Sequence, residues 1–212
     1  MLKYEEKLHF DKRYKQLQEA TIGTQLLSLL WGIVCYVLLF SFLFWLKGKI
    51  PDFYAWASTS KGHTILGIQF HTVDTVYFLL GLLMMSYGTL RLAEITRENH
   101  KANDKTNSKP IHLLTNGYYA DVRHPMYGTF IFMFTSLAFS VHSALGLVSV
   151  ILIIAAQYIN AHLEETRTLL PLFKGNYLQY KKKTPAMLLT KWQIILLSSL
   201  IIITLAGFIK FI

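Results

Sequence analysis

One stretch of the chain limits the possible folds more than any other, because residues 126–163 contain no Asp, Glu, Lys or Arg. A single helix over these residues would be about 57 Å long at 1.5 Å per residue. The hydrocarbon core of a bilayer is only about 30 Å thick. The stretch is therefore predicted to fold back as a tight hairpin of two membrane-spanning helices. His142, Ser143 and Gly146 are the residues best suited to the turn.

Three further uncharged segments, residues 26–46, 75–90 and 192–208, have lengths near that needed to cross a membrane. The hydrophobic content of 53% and the mean hydropathy of +0.36 are higher than in ordinary soluble domains. Together with the hairpin, these segments predict an all-α integral membrane protein of about five transmembrane helices. The single cysteine, Cys35, excludes an intramolecular disulfide and a cysteine-rich metal site.

The polar segments between the predicted spans have less regular patterns. Residues 1–25 contain charges of both signs and fit either an interfacial amphipathic helix or a solvated tail. Residues 47–73 are predicted to form a loop. The second helix is predicted to continue into water through the polar residues 94–108, before a loop at residues 103–110.

The distribution of basic residues predicts the orientation in the membrane. With five spans, 17 of the 21 lysines and arginines fall on one side and four on the other. Because the basic side is normally cytoplasmic, the N-terminus and residues 91–123 and 167–191 are predicted to be cytoplasmic. The net charge of +9 then reflects topology and attraction to anionic lipids rather than nucleic-acid binding. An Ile-, Leu- and Lys-rich chain without a recognisable signal sequence favours a prokaryotic plasma membrane.

A polar motif, NGYYADVRHPMY at residues 116–127, immediately precedes the hairpin. His124 stands before a proline, which disfavours helical backbone at that residue. Pro125 suits the first position of a helix. Arg123 and His124 are therefore predicted to lie at the start of a helix whose positive N-terminal end can hold an anion. For Arg123, contact with a lipid phosphate is the alternative.

The fourth predicted helix becomes polar toward its cytoplasmic end. Its polar residues recur at steps of three and four, which places them on one face: Gln157, Asn160, Glu164, and Arg167 or Thr168. Polar residues in a membrane helix indicate a functional site, although hydrogen bonds between helices would also explain them. Adjacent Glu164 and Glu165 should point about 100° apart. Only one of the two is therefore expected to be central to any single contact.

The hairpin should bring its two ends together, so that Arg123 and His124 face Glu164 and Glu165. A basic edge opposite a pair of carboxylates suits a zwitterionic or cationic ligand. S-adenosylmethionine has this charge pattern, because it contains a carboxylate, an ammonium group and a sulfonium.

The motif NGYYADVRHPMY, followed after the hairpin by EETRTLLPLFKGNYLQYKKKTP, resembles the C-terminal half of the isoprenylcysteine carboxyl methyltransferase family. The wider group includes phospholipid N-methyltransferases and related bacterial membrane methyltransferases. The resemblance covers about residues 113–188, and the first hundred residues match only in helix count. Two positions depart from the family pattern: Leu169 comes one position late, and Lys174 replaces an expected glycine.

The resemblance implies an S-adenosylmethionine-dependent methyltransferase whose cytoplasmic cofactor pocket is roofed by the loop after the fourth helix. Arg123 and Glu164 are the catalytic candidates. The cofactor-binding candidates are Tyr119, His124, Pro125, Tyr127, Glu164, Glu165 and Tyr177. For Tyr119 and Tyr177, ordinary packing of the loop is the alternative, and the Lys181-Lys182-Lys183 run is expected to be solvated and to face lipid.

The resemblance also divides the chain into three parts. Residues 113–191 would form the catalytic core, and residues 192–212 a C-terminal transmembrane helix. Residues 1–112, the N-terminal tail and first two helices, would lie on the substrate side. The methyl acceptor is expected to be a lipophilic molecule that enters from the membrane: an isoprenylcysteine-like carboxylate, a lipid amine or a thiol. No metal and no nucleic acid are expected to bind.

Two other functions fit part of the same pattern. Membrane sterol and enone reductases have a similar arginine-x-proline-x-tyrosine motif and use NADPH. They usually contain a basic, Arg-Asp-rich segment where this chain has Glu164 and Glu165. A non-enzymatic membrane protein that keeps the fold is the third possibility.

Overall fold

The computed structural model describes residues 21–47, 54–56, 62–65, 68–102 and 112–209. Seven helices and one two-stranded hairpin lie within these ranges. They are α1 (Thr21–Lys47), β1 (Gly62–Ile65), β2 (Ile68–His71), α2 (Thr72–Ala102), α3 (Tyr118–Asp121), α4 (Pro125–Ser140), α5 (Ala144–Glu164), a π-helical segment (Glu165–Leu169), α6 (Leu170–Lys183) and α7 (Lys191–Ala206). The two strands pair antiparallel, with Gly62 opposite His71.

The helices pack around α2 and α4. Helix α2 contacts α1 on one side and α4 on the other, and α4 also packs against α5. The core between them is formed by large side chains, including Tyr77, Met84, Phe132 and Phe139. Burial of such side chains stabilises each by about 1.5–3 kcal/mol relative to exposure. The bundle therefore holds α4, whose first residues form the candidate site, firmly between α2 and α5.

Side-chain hydrogen bonds between helices show which helix ends lie together. Tyr87 in α2 bonds to Gln193 near the start of α7, at an O–N distance of 2.9 Å. Tyr77 near the start of α2 bonds to Thr204 near the end of α7, at an O–O distance of 3.1 Å. Helices α2 and α7 are therefore antiparallel. The C-terminal half of α2, the start of α4, the end of α5 and the start of α7 share one end of the bundle.

Two helical stretches in the described part of the chain are long and apolar enough to cross a membrane: Thr72–His100 and Ala144–Lys183. Shorter apolar helices cover Leu29–Leu43 and Lys191–Ala206. Many large apolar side chains on these helices are exposed, such as Trp31 and Trp192. An apolar exterior of this extent indicates a membrane protein.

The helix boundaries agree closely with the sequence pattern where the apolar segments are clear. Helix α4 ends at Ser140 and α5 begins at Ala144, with His142 and Ser143 between them. Gly146 was also predicted to lie in the turn between the two helices. This prediction is wrong, because Gly146 lies inside the first turn of α5. A side chain there would collide with the carbonyl of Ala138. Glycine at this position therefore lets α4 and α5 approach closely.

Two segments differ from the prediction. The loop expected over residues 47–73 contains the hairpin of β1 and β2. The loop expected after the fourth helix is helical from Glu165 to Lys183, with a sharp bend at Lys174, whose φ is +44°. Predictions for residues 1–20, for the loop at residues 103–110 and for the end of the last helix near Lys210 lie outside the described residues.

Candidate functional site

The site is built on the first turn of α4. His124 has a non-helical backbone (φ −128°, ψ 68°), and Pro125 is the first helical residue, as the sequence predicts. The backbone N–H groups of Arg123 and His124 donate to the carbonyls of Ala186 and Met187 at 3.0 and 2.9 Å. These bonds fix the segment between α6 and α7 beside the start of α4.

Gly128, one turn into α4, is required for this arrangement. The carbonyl of Leu188 passes so close that a side chain at Gly128 would collide with it. Because the obstacle is backbone, a rotamer change cannot relieve the collision. The glycine therefore lets the segment before α7 cross α4 and hold Arg123 and His124 in place.

His124 lies between two carboxylates. Its Nδ1 is 3.2 Å from Oε2 of Glu164, and its Nε2 is 3.3 Å from Oε1 of Glu165. An ionised carboxylate only accepts hydrogen bonds, so each contact is satisfied when that ring nitrogen has a hydrogen. The expectation that only one glutamate would be central to a single contact is wrong, because one imidazole bridges both.

Glu165 is the buried carboxylate of the pair, with 1% of its side chain exposed. Its Oε1 lies 2.7 Å from Arg123 Nε, and its Oε2 lies 2.7 Å from Lys181 Nζ. Burial by itself raises the pKa of the Glu165 carboxyl. Hydrogen bonds from Lys181 and Arg123, together with the proximity of the Tyr177 hydroxyl, outweigh burial and lower that pKa to about 2. Glu165 is therefore ionised at neutral pH and already engaged by the protein.

Glu164 differs from its neighbour, because 39% of its side chain is exposed. It lines a cavity of about 190 Å³ at this end of the bundle. The cavity is lined by Asn99, His112, Leu113, Leu114, Tyr119, Arg123, His124, Met126, Tyr127, Glu164, Leu169, Phe173 and Tyr180. Glu164 is the only carboxylate among these residues.

Arg123 is largely occupied by the protein but keeps one free nitrogen. Its Nη1 donates to the carbonyls of Thr184 at 2.9 Å and Pro185 at 2.6 Å, in addition to the Nε contact with Glu165. Its Nη2 has no hydrogen-bond partner within the described ranges. Arg123 also lines the cavity. It can therefore offer one N–H pair to an anionic group of a ligand.

Two tyrosines form part of the cavity wall. The Tyr119 hydroxyl donates to Asn99 Oδ1, and the Tyr180 hydroxyl donates to the carbonyl of Tyr119 at 2.7 Å. Burial raises the pKa of both phenols, so they are neutral at physiological pH. The wall next to the charged groups is thus aromatic and uncharged.

The structure brings most of the predicted site residues to one place. Arg123, His124, Tyr119, Tyr127 and Glu164 all line the cavity. The other three predicted residues are not among its lining side chains. Glu165 holds Arg123 and His124 from behind, Pro125 starts α4, and Tyr177 is fully buried. Their roles as cofactor contacts stay predictions.

Other parts of the sequence interpretation need correction. The predicted polar stripe keeps its regular spacing only as far as Glu164, because Asn160 and Glu164 lie in the regular helix α5 while Arg167 lies beyond it. The π-helical segment from Glu165 to Leu169 changes the phase of the helix at this point. The sequence pattern assumed an uninterrupted α-helix, so it could not anticipate that change.

Lys181 and Asn99 are site residues that the sequence pattern did not identify. Lys181 was expected in a solvated cluster that faces lipid, but it forms an ion pair with Glu165. The bend at Lys174 brings Lys181 back toward Glu165, and its one sequence signal is the glycine that the family pattern expects at this position. Asn99 lies on the part of α2 that extends beyond the apolar segment, and its only signal is its place in that polar extension.

The fold and site together define a helical membrane protein with a carboxylate- and imidazole-lined cavity at one end of its bundle. A family model described as phospholipid methyltransferase matches residues 64–176, more than half of the chain. The chain belongs to this family of methyltransferases. No curated protein and no solved structure matched the chain significantly.

The match includes the start of α4 and both glutamates. It also begins at residue 64, so the expectation that the first hundred residues match only in helix count is wrong for residues 64–100. This family is the wider group suspected from the sequence motifs.

Proposed function

We propose that the protein transfers a methyl group from S-adenosylmethionine to a lipophilic acceptor at the cytoplasmic face of the membrane. The observation that carries the proposal is the position of Glu164, the accessible carboxylate in a cavity that also contains Arg123 and His124. The family is one of methyltransferases, which supports methyl transfer over the hydride transfer of a reductase. A finer assignment to isoprenylcysteine-like carboxylates rests on the motif resemblance alone.

The charged groups of the cavity fit the amino-acid part of this cofactor. Glu164 can accept hydrogen bonds from the ammonium group and stabilise nearby positive charge on sulfur. The free Nη2 of Arg123 can donate to the carboxylate. The cavity volume of about 190 Å³ is below the roughly 300–1,000 Å³ of pockets for drug-sized ligands. It therefore fits this charged part better than the whole cofactor.

When bound, S-adenosylmethionine supplies an electrophilic methyl group on a sulfonium. An acceptor carboxylate attacks as the anion and needs no base. An amine or thiol must lose a proton, and a positioned carboxylate can take it. Glu164 suits this role because it is accessible, whereas Glu165 is engaged by Arg123 and Lys181. His124 holds Glu164 in orientation through Nδ1.

The protein would further assist transfer by alignment and by exclusion of water. Tyr119, Tyr127 and Phe173 give the cavity an aromatic wall. The exposed apolar faces of the helices would let a lipophilic acceptor approach from the membrane, while the cofactor enters from water. The excess of basic residues supports a cytoplasmic position for the site in a bundle of five spans. The prokaryotic plasma membrane remains our proposed location.

The proposal is tested by calorimetric titration of S-adenosylmethionine into the detergent-solubilised full chain, with NADPH titrated in parallel. Saturable binding of S-adenosylmethionine alone is expected, followed by transfer of a labelled methyl group to candidate lipids or thiols. Binding of NADPH alone would overturn the proposal in favour of a reductase. If a protein with an intact cooperative unfolding transition binds neither, a non-enzymatic role is favoured.

A further inference from the structure

Asn99 reaches the cavity wall from α2, on the polar extension of that helix. Its Oδ1 accepts a hydrogen bond from the Tyr119 hydroxyl. Its Nδ2 lies 3.9 Å from Sδ of Met126, in the first turn of α4. A thioether sulfur is only a weak acceptor, and the amide nitrogen has two hydrogens. Asn99 is therefore held in place through its oxygen and can still donate from its nitrogen.

Most other polar hydrogens on the cavity wall are used within the protein. The Tyr180 hydroxyl donates to the carbonyl of Tyr119 at 2.7 Å, and the Tyr119 hydroxyl donates to the α2 amide. Both ring nitrogens of His124 face glutamate oxygens. The Tyr127 hydroxyl lies near the Glu164 carboxylate. These groups form the wall, but they have little hydrogen-bonding capacity left for an anionic ligand.

Two donors on this wall remain for a ligand among the residues that the structure describes: Nη2 of Arg123 and Nδ2 of Asn99. His112 also lines the cavity but is exposed to solvent. A carboxylate has two oxygens and accepts up to about four hydrogen bonds. The N–H pair of Arg123 therefore leaves room for a second donor on the same carboxylate.

The small volume of the cavity directs these donors to one ligand group. Asn99, Arg123 and Glu164 all line a space of about 190 Å³. They come from α2, from the residue pair before α4 and from the end of α5. Contacts from three separate elements can fix both the position and the handedness of an α-amino acid group.

We propose that Asn99 is a cofactor-binding residue, whose Nδ2 donates to the α-carboxylate of S-adenosylmethionine beside Arg123. This inference rests on the proposed function, in which Glu164 holds the ammonium group. The site would then recognise an intact α-amino acid group, and a sulfonium that lacks the carboxylate would bind poorly. Helix α2, predicted to lie on the substrate side, would also take part in cofactor binding.

The test compares two ligands by calorimetric titration into the detergent-solubilised full chain. They are S-adenosylmethionine and decarboxylated S-adenosylmethionine, in which hydrogen replaces the α-carboxylate. The wild type is expected to bind S-adenosylmethionine at least about tenfold more tightly, because charge-assisted hydrogen bonds to the carboxylate are lost in the other ligand. Equal binding of the two ligands would overturn the carboxylate contact.

Asn99→Asp isolates the amide nitrogen. An ionised aspartate keeps an oxygen that can accept the Tyr119 hydrogen bond, but it has no hydrogen to donate and repels the ligand carboxylate. The preference for S-adenosylmethionine over the decarboxylated ligand should therefore fall at least about tenfold. Asn116→Asp adds the same charge at an exposed residue before α3 and should keep the wild-type preference. An unchanged preference in a cooperatively folded Asn99→Asp would overturn the proposal.

Two neutral variants separate ligand contact from support of Tyr119. Asn99→Leu and Tyr119→Phe both remove the hydrogen bond between these residues, but only Asn99→Leu removes Nδ2. The preference should fall about three- to tenfold in Asn99→Leu and stay at the wild-type value in Tyr119→Phe. An equal fall in both variants, or equal weakening of both ligands in Asn99→Leu, would contradict the contact.

These results also distinguish failure of this inference from failure of the proposed function. If the wild type bound neither ligand, the proposed function would fail, and this inference would fail with it. Each of the other adverse results leaves S-adenosylmethionine binding by the wild type in place and overturns only the role of Asn99.

Discussion

Two buried histidines lie at opposite ends of α4, and each contacts a carboxylate. His124 precedes the first residue of α4 and lies between Glu164 and Glu165. His142 follows the last turn, with Nε2 at 2.7 Å from Asp74 Oδ1 and Nδ1 at 2.9 Å from the Ala55 carbonyl. The same pair of chemical groups is thus used twice, in different surroundings.

The surroundings decide what each pair can do. At His142 both ring nitrogens contact protein acceptors, and the second oxygen of Asp74 accepts the backbone N–H of His71 at 2.7 Å. At His124 one of the two carboxylates, Glu164, remains accessible in a cavity. We infer that the His142 end closes the bundle and that the His124 end binds ligand.

The backbone of His142 supports the structural role. Its φ is +36°, in the left-handed region that non-glycine residues rarely adopt. Such a conformation costs about 1–3 kcal/mol and persists only when the surroundings hold it. Here the contacts with Ala55 and Asp74 hold it, and they tie the α4–α5 connection to α2.

The largest expected effect on stability is at this closed end. Asp74→Ala leaves the His142 imidazole without its buried partner and should lower the free energy of unfolding by about 3–5 kcal/mol. The measurement is denaturant unfolding in detergent. Any S-adenosylmethionine binding of the fraction that stays folded should be unchanged. If Asp74→Ala kept wild-type stability, the structural role of His142, which distinguishes it from His124, would be contradicted.

A smaller effect should appear at Glu165 as pH falls. Its folded pKa of about 2 lies below the ordinary value of 4.5, so its charge stabilises the folded state above pH 4.5. This contribution, up to about 3 kcal/mol, should be lost as pH decreases from about 4.5 to 2. Unfolding midpoints over this range should fall less steeply in Glu165→Gln than in the wild type. Parallel pH profiles would contradict the assignment.

The smallest stability effect is expected at Lys181, whose side chain is 43% exposed. Lys181→Met removes one ion pair with Glu165 but leaves the contact with Arg123, so the loss should be at most about 1 kcal/mol. The exposed neighbour Lys182→Met is the matched control and should have no effect. A loss as large as that of Asp74→Ala would show that Lys181, and not Arg123, holds Glu165.

The sequence predicts the parts of this structure that depend on local patterns. Hydropathy places the helices, and the His124-Pro125 pair places the start of α4. The closed end could not be predicted, because Asp74 and His142 are 68 residues apart and contact only through packing of α2 against α4. The Glu165–Lys181 pair depends on the bend at Lys174, where the chain lacks the glycine that the family pattern expects, so the residue itself gives no turn signal.

The candidate site was partly predictable, because some of its residues lie in local sequence motifs. The motif around Arg123 and the adjacent glutamates identify five of the residues that line the cavity. They do not show that Glu164 is open while Glu165 is enclosed. That difference depends on the basic partners that other segments bring to Glu165.

The most direct test of the account is calorimetric titration of S-adenosylmethionine into three proteins: the wild type, Glu164→Gln and Asp121→Asn. Asp121 is exposed on α3 and controls for the loss of one negative charge near the site. The account predicts at least about tenfold weaker binding for Glu164→Gln, because a charged hydrogen bond is lost, and unchanged binding for Asp121→Asn. Equal affinities in all three folded proteins would contradict it.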